Sequence, residues 1–346
     1  MPKPTIFRKA FFWILLGCYS AFFAEVISGS ELFPFFKLWG IFVIIPLYGM
    51  HTLVLAKIVY RFGKPRLYTL FLAGTIFGLY EAYITKVLWS PPWGPDPLQI
   101  GGIAFMATFV LVLFWHPIMA FIVPLLVSER ALTRSRTVIK GLPGKLQAFL
   151  GKRRTIILLV ILAAVFQSVN TPSPGIALVA NSSSVAVLLA LTWLWNRSGG
   201  PAYSLRELLP GKWGFALLSG GLLLMYLVMG LVVRPEALPG FFPQFLIWQM
   251  YAFLGFLLAL SLWRSRRVPL GSITSPFSNF SPRGYLFLWG IFLLVATSFA
   301  LLKPISNVFA LIAWFAWILI GFTLLGLSFV EVLKPVPKSP TPATAG

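Results

Sequence analysis

The chain has 346 residues, of which 58% are hydrophobic and only 10% are charged, and its mean hydropathy is +0.88. Soluble domains carry about 25% charged residues, so this composition excludes a water-soluble fold. The formal net charge of +20 would suit a nucleic-acid-binding protein. However, the basic residues are spread over several loops without a recognition motif, so the expected partner is the lipid bilayer and not a nucleic acid.

Ten apolar segments, each about as long as a membrane span, follow one another along the chain. They cover residues 10–28, 37–60, 67–88, 100–127, 155–170, 176–195, 213–233, 244–262, 285–302 and 305–332. A helix needs about 20 apolar residues to cross the hydrocarbon core, whereas barrel strands are shorter and alternate in polarity. The sequence therefore predicts an all-α polytopic bundle of about ten transmembrane helices.

The basic residues predict how these spans are oriented. If the N-terminus is cytoplasmic, 23 of the 28 Lys and Arg residues fall in cytoplasmic segments, 3 fall in outer segments and 2 lie within spans. Cytoplasmic loops of membrane proteins are enriched in Lys and Arg. We therefore expect both termini in the cytoplasm, and a multi-pass protein of the plasma membrane.

A basic loop at residues 128–154 divides the chain into two membrane units. Residues 1–127 are expected to form a four-helix unit, and residues 155–333 a six-helix unit. The loop itself contains eight basic residues and is expected to lie on anionic headgroups. Residues 334–346 are rich in Pro and Thr, which predicts a disordered tail.

Five of the ionisable side chains in the first four spans are candidates for a functional site: Glu25, His51, Glu81, Lys86 and His116. Ionisable groups are costly in hydrocarbon, so they mark functional sites by default. Helix geometry places the two glutamates and the lysine toward the outer face and the two histidines near mid-depth, which predicts two layers. We expect these groups to converge in a pocket that opens outward.

Glycine and proline residues near this set indicate how the helices pack. Gly74 and Gly78 permit a close helix contact, and Glu81 follows on roughly the same face, so its carboxylate is expected to point into protein. Pro117 frees a backbone carbonyl beside His116 and can kink the helix. No H-E-x-x-H helix is present, so a metal would need ligands from separate helices. The sequence leaves metal and cofactor content open.

Three functions are compatible with the set. The favoured one is transport or binding of a small or lipid-like substrate, with Glu25, Glu81, Lys86 and Trp93 as substrate-binding residues and the loop at 89–98 as a candidate lid. An intramembrane hydrolase would use Glu81 as general base, with His51 and His116 as its partners or as metal ligands. The third is a membrane scaffold or assembly factor without chemistry.

Several short motifs resemble an uncharacterised family of prokaryotic multi-pass membrane proteins. They are Glu25-Val26-Ile27-Ser28-Gly29-Ser30, Tyr48-Gly49, Gly78-Leu79-Tyr80-Glu81, Lys86 and Pro92-Trp93. This likeness covers about the first 127 residues and implies a membrane fold without a known activity.

A more remote similarity is to intramembrane peptidases of the CAAX-processing type, which use a Glu-Glu-x-x-x-Arg motif and later membrane histidines. It implies hydrolysis by Glu81 with His116. Here Ala82 stands at the second glutamate, Thr85 at the arginine, and Ala120 where an Asn or Asp would follow the histidine.

Overall fold

The computed structural model describes residues 3–273 and 282–335, and this part of the chain is a helical bundle. Its ten long helices are α1 (Ile6–Val26), α2 (Gly40–Phe62), α3 (Leu67–Ile84), α4 (Phe105–Leu132), α5 (Arg153–Val169), α6 (Pro174–Arg197), α7 (Lys212–Val232), α8 (Phe241–Arg267), α9 (Pro282–Leu301) and α10 (Lys303–Leu333). Within the described residues, nine of them are long and apolar enough to cross a membrane, and α5 is shorter, with 17 residues. The predicted all-α polytopic fold is confirmed, while most of the predicted disordered tail lies outside the described residues.

The helix boundaries depart from the predicted spans around the loop between α3 and α4. α3 ends at Ile84 instead of residue 88, and the backbone then turns through Lys86 with a φ of 60°. The predicted fourth span starts too early, because an antiparallel hairpin of β1 (Gln99–Ile100) and β2 (Ile103–Ala104) precedes α4. Its two turn residues are glycines with positive φ, as a tight hairpin requires.

Shorter helices complete the described chain. The basic loop after α4 contains helical segments Thr137–Lys140 and Gly144–Gly151, and a single turn at Leu205–Leu208 follows α6. Single 3₁₀ turns lie at Gly200–Ala202 and Pro235–Ala237. The connection between α4 and α5 is therefore folded.

Three stretches of the first four helices are π-helical. They are Phe22–Val26 at the end of α1, Gly40–Ile44 at the start of α2, and Leu111–Ile122 in the middle of α4. π-helical turns are rare and occur frequently at functional sites. In α4 the stretch includes Pro117, which has no N–H to donate to the preceding turn.

The core of the molecule lies between α1, α2, α3 and α4. A Cβ atom added at Gly78 would lie only 2.9 Å from the Cα of Val112, and one at Gly74 would collide with Pro117. The two glycines therefore let the α3 and α4 backbones meet, as the sequence predicts. On the other side of the core, Gly17 of α1 and Gly49 of α2 make a similar close approach.

The remaining helices surround this core in two groups. α7, α8 and α10 contact α2, α3 and α4, whereas α9 packs on α5 and α6, α10 also packs on α5, and α6 reaches α1. Most of their apolar side chains are exposed: only 6% of the most apolar stretch of α7 is buried, against 78% for α3. An exposed apolar surface of this extent fits a protein whose surroundings are lipid chains.

Candidate functional site

The close approach of α3 and α4 brings a carboxylate and an imidazole into contact. Nε2 of His116 lies 3.2 Å from Oε2 of Glu81, and the two side chains are 2% and 15% exposed. This is an ion-pair distance, although the ring nitrogen has no hydrogen bond of good geometry. Gly78 lies one turn before Glu81, and a Cβ atom added at this glycine would lie 3.3 Å from the Cβ of His116. The missing side chain therefore makes room for the histidine. Two helices with a glycine at the crossing thus position the pair.

The π-helical stretch of α4 sets the orientation of the imidazole. Nδ1 of His116 lies 3.1 Å from the carbonyl oxygen of Leu111. A carbonyl only accepts hydrogen bonds, so Nδ1 carries hydrogen and Nε2 is left to face Glu81. An unprotonated Nε2 and an ionised carboxylate would be two acceptors in contact. The contact is therefore favourable only when the ring or the carboxyl carries one further proton.

A second carboxylate, Glu25, lies on the π-helical last turn of α1. The hydroxyl of Tyr48 donates to one of its oxygens, and the hydroxyl of Ser30 donates to the other at 2.5 Å. Glu25 is half-buried and Ser30 is exposed. This carboxylate therefore sits between the protein interior and one face of the membrane.

Tyr48 of α2 contacts Glu25 and lies beside His116. Its hydroxyl donates to Glu25, and its ring is nearly parallel to that of His116, with 6.2 Å between ring centroids. We call Glu25, Tyr48, Glu81 and His116 the acid–base cluster. The predicted division into an outer carboxylate layer and a deeper imidazole layer is wrong, because α3 and α4 bring Glu81 and His116 to one level.

His51 lies next to this cluster without joining it directly. Its ring stacks on Phe77 at 4.3 Å and meets the edge of Tyr80 at 4.2 Å. Phe77 also contacts the ring of His116 on its other side, at 5.3 Å. Nδ1 of His51 is 2.9 Å from the carbonyl oxygen of Leu47, and its buried Nε2 has no hydrogen-bond partner among the described residues.

An aromatic cleft opens on the outer surface of the bundle close to His51. The cleft has a volume of about 350 Å³ and lies between α3, α7 and α8. Its lining residues are Tyr80, Leu223, Tyr226, Trp248 and Tyr251. Tyr80 belongs both to this lining and to the surroundings of His51. A single ring thus separates the cleft from the imidazole.

Two predicted substrate-binding residues lie elsewhere. Lys86 is fully buried, and its ammonium donates to the carbonyls of Met229 and Gly230 at 3.1 and 2.7 Å, at the end of α7. Trp93 is 56% exposed, and its ring centroid is 6.0 Å from that of Trp314 in α10. The structure brings neither of them to the Glu81–His116 contact.

Sequence reasoning missed Tyr48 and Ser30 as members of the site. Both lie in short motifs, Glu25–Ser30 and Tyr48-Gly49, which indicate a family resemblance but no role for either hydroxyl. A hydroxyl in an apolar span is a weak signal, because it can bond to its own helix. Within the described residues, no three His, Cys, Asp or Glu side chains lie close enough together to hold a metal ion.

Comparisons with known proteins extend the resemblance to most of the chain. Residues 14–337 match the sequence profile of a group described as an uncharacterized membrane protein family. A protein of Archaeoglobus fulgidus, described as uncharacterized, is 41% identical over 253 residues, which cover 72% of this chain and 77% of that protein. No solved structure matches the chain. The similarity therefore includes α5–α10 as well as the helices of the acid–base cluster.

Proposed function

The chain belongs to this uncharacterized membrane protein family, and from that premise we propose that it binds and moves a small or lipid-like substrate within the membrane. Substrate binding is coupled to proton exchange at the acid–base cluster. One observation carries the proposal: Nε2 of His116 lies 3.2 Å from Oε2 of Glu81 inside the bundle, within reach for proton transfer between the two groups. Carboxylates and imidazoles buried in transport proteins commonly serve as proton relays.

The proton path begins at Glu25. This carboxylate is half-buried beside the exposed Ser30, so it can exchange protons with water at that face. The Tyr48 hydroxyl, which donates to Glu25, then links this carboxylate to the region of His116. A substrate that approaches Glu81 changes the charge around the pair, and the proton on Glu81 or His116 moves in response. Binding and protonation are thereby coupled.

The aromatic cleft supports the lipid-like class of substrate. It opens from the apolar outer surface of α3, α7 and α8, where lipid chains surround the protein. A hydrocarbon chain entering there packs on Tyr226 and Trp248 and reaches Tyr80, which contacts His51. The end of such a molecule then lies against Tyr80, one ring from His51, without having crossed the aqueous phase.

A hydrolase is the second candidate, and the fixed orientation of His116 favours it. The carbonyl of Leu111 holds Nδ1, so that Nε2 faces the carboxylate that would accept a proton from water. A general base must lie within hydrogen-bond reach of the proton that it removes. Cleavage of a membrane-bound peptide by the wild type but not by Glu81→Gln would favour this candidate over transport.

The architectural expectations extend this proposal. We place the acid–base cluster in a four-helix unit of residues 1–127, supported by a six-helix unit of residues 155–333. The basic loop of residues 128–154 lies on anionic headgroups, with both termini in the cytoplasm. The protein then resides in the plasma (inner) membrane of a prokaryote as a multi-pass protein.

Infrared difference spectroscopy tests the proposal directly. The purified protein is titrated from about pH 4 to about pH 9, and the carboxyl C=O band of the wild type is compared with that of Glu25→Gln and Glu81→Gln. We expect each variant to lose part of the titrating carboxyl signal. The control Glu207→Gln removes a carboxylate that is 37% exposed, and its loss should concern a water-exposed band. A titration in Glu81→Gln identical to wild type would contradict the proposal.

A further inference from the structure

A second cluster of charges lies at the opposite end of α3, far along the helix from Glu81. Oε1 of Glu331 in α10 is 3.7 Å from both Nη2 of Arg66 and Nε of Arg264, and its Oε2 is 3.2 Å from Nζ of Lys334. Three cations thus surround one carboxylate, which leaves a net charge of +2. The arginine side chains are 27% and 8% exposed, respectively.

Among the described residues, only some of the N–H groups of these arginines donate a hydrogen bond. A distance of 3.7 Å is too long for a hydrogen bond, so Glu331 balances charge without satisfying the guanidinium groups. Arg264 donates through its terminal nitrogens to the carbonyls of Lys334 and Pro335, but its buried Nε has no hydrogen-bond partner among residues 3–273 and 282–335. The guanidinium of Arg66 makes no hydrogen bond to any residue that the structure describes.

The donors line a narrow pocket between the ends of three helices. Its lining residues are Arg66, Tyr68, Thr69, Ser261, Arg264, Ser265, Val268 and Glu331. The enclosed volume of about 10 Å³ accommodates one water-sized group. One oxygen of a larger anion fits inside, while the rest of that anion stays at the mouth.

We propose that this pocket binds the phosphate group of an anionic membrane phospholipid. Arg66 immediately precedes α3, and Arg264 and Glu331 lie within one turn of the ends of α8 and α10, which is where headgroups meet spanning helices. Guanidinium groups match phosphate oxygens in charge and geometry. Basic pockets between spanning helices bind anionic headgroups in other membrane proteins.

Glu331 competes with the phosphate in this arrangement. Its carboxylate is the anion that both arginines face when no lipid is bound. A phosphate oxygen that approaches Nε of Arg264 is attracted by the guanidinium and repelled by the carboxylate. The affinity of the site for lipid should therefore rise when the charge of Glu331 is removed and fall when the charge of either arginine is removed. Because the site lies at the other end of α3 from Glu81, it is independent of the acid–base cluster.

Lipid binding to the full-length protein tests this inference. Purified protein is titrated with vesicles of phosphatidylglycerol or of phosphatidylcholine, and the lipid retained per protein is measured by native mass spectrometry. We expect phosphatidylglycerol to bind preferentially. Arg264→Gln and Arg66→Gln should each weaken its binding about tenfold, because each removes a charge-assisted contact. Glu331→Gln should strengthen it. The control Arg61→Gln removes a cation near the end of α2 that is outside the pocket.

Three results would overturn the assignment. The first is equal retention of the two lipids, and the second is the same affinity in Arg264→Gln as in Arg61→Gln. The third is binding of inorganic phosphate in detergent as tight as that of phosphatidylglycerol, which would indicate a soluble phosphate ligand. Unfolding of an arginine variant could explain weaker lipid binding by that variant. It could not explain the stronger binding that we expect for Glu331→Gln.

Discussion

Between α3 and α7, the more apolar helix is the less buried one, which is the opposite of what helices in water-soluble proteins show. The most apolar stretch of α3 has a mean hydropathy of 1.3 and is 78% buried, whereas that of α7 has a mean hydropathy of 2.2 and is 6% buried. The more apolar helix faces outward because its solvent is hydrocarbon. The more polar helix lies inside, where its groups find partners. α4 is an exception that is both apolar and largely buried.

The buried polar groups of α1–α4 also differ from those of α5 and α6. In α1–α4 the buried polar groups include ionisable side chains that contact one another, as Glu81 and His116 do. In α5 and α6 they are neutral: Gln167, Asn181 and Ser184 are fully buried, and each retains an atom without a hydrogen-bond partner in the part of the chain that the structure describes. Chemistry is therefore expected in the first four helices, and the following predictions test that division.

The largest effect is expected at the glycine crossing of α3 and α4. Gly74→Leu places a side chain against the backbone of Pro117, so the helices must separate, at a cost of about 1–3 kcal/mol or more in stability. Gly220→Leu in α7 is the matched control, because nothing lies within 4 Å of its added Cβ. The melting temperature in detergent should fall for the first variant only. A similar decrease in melting temperature for both variants would contradict the difference in packing between α3 and α7.

The next effect concerns the Glu81–His116 contact. A double-mutant cycle with Glu81→Gln and His116→Gln should give a coupling energy of about 1–3 kcal/mol, because each single change leaves a buried polar partner unpaired. The same cycle on Glu207 and Arg134 measures an ion pair whose side chains are 37% and 46% exposed. That pair should couple by less than about 1 kcal/mol. Coupling energies of equal size would contradict the importance of burial.

Lys86 tests whether an ionisable residue of the first half can be purely structural. Lys86→Met removes the donor to the carbonyls at the end of α7, and we expect a loss of about 1–2 kcal/mol in stability. Proton exchange at the acid–base cluster should remain as in wild type when it is followed by infrared titration. A changed carboxyl titration would instead place Lys86 in the functional site.

The smallest effect is expected outside the membrane, at Glu207. The hydroxyl and backbone amide of Ser204 hold the pKa of Glu207 below its usual range. Because the folded-state pKa is the lower one, the resulting stability is present above the unfolded-state pKa and is lost as the pH falls through the folded-state value. Glu207 is 37% exposed, so this contribution should stay below about 1 kcal/mol. Chemical denaturation of Glu207→Gln across acidic pH should show a smaller pH dependence than wild type.

The helices could be predicted from the sequence because each one needs only a long apolar run and a turn residue at its end. The end of α3 was placed too late, because Val87 and Leu88 are apolar although the backbone has already turned at Lys86. The hairpin before α4 was missed for a similar reason, since Ile100 and Ile103 read as part of a span. Apolarity reports the environment of a residue and not its backbone conformation.

For the candidate site, the sequence indicates the residues but not their contacts. Glu25, Glu81 and His116 stood out because ionisable groups are costly in lipid. That Glu81 meets His116 depends on the rotation of α3 against α4, which Gly78 and the π-helical stretch of α4 determine together. Tyr48 carries no charge, so composition could not single it out. The contact of the Lys86 ammonium with the end of α7, 143 residues further along the chain, could not be predicted either.

The protonation of His116 is the most direct measure of the contact at the centre of the proposed function. The chain has two histidines, so His51→Gln leaves His116 as the only imidazole for ¹⁵N NMR. Its ring-nitrogen shifts should titrate with pH, and the additional change Glu81→Gln should alter both the shifts and their pH dependence. Identical ¹⁵N titrations with and without the Glu81 carboxylate would show that the two groups share no proton.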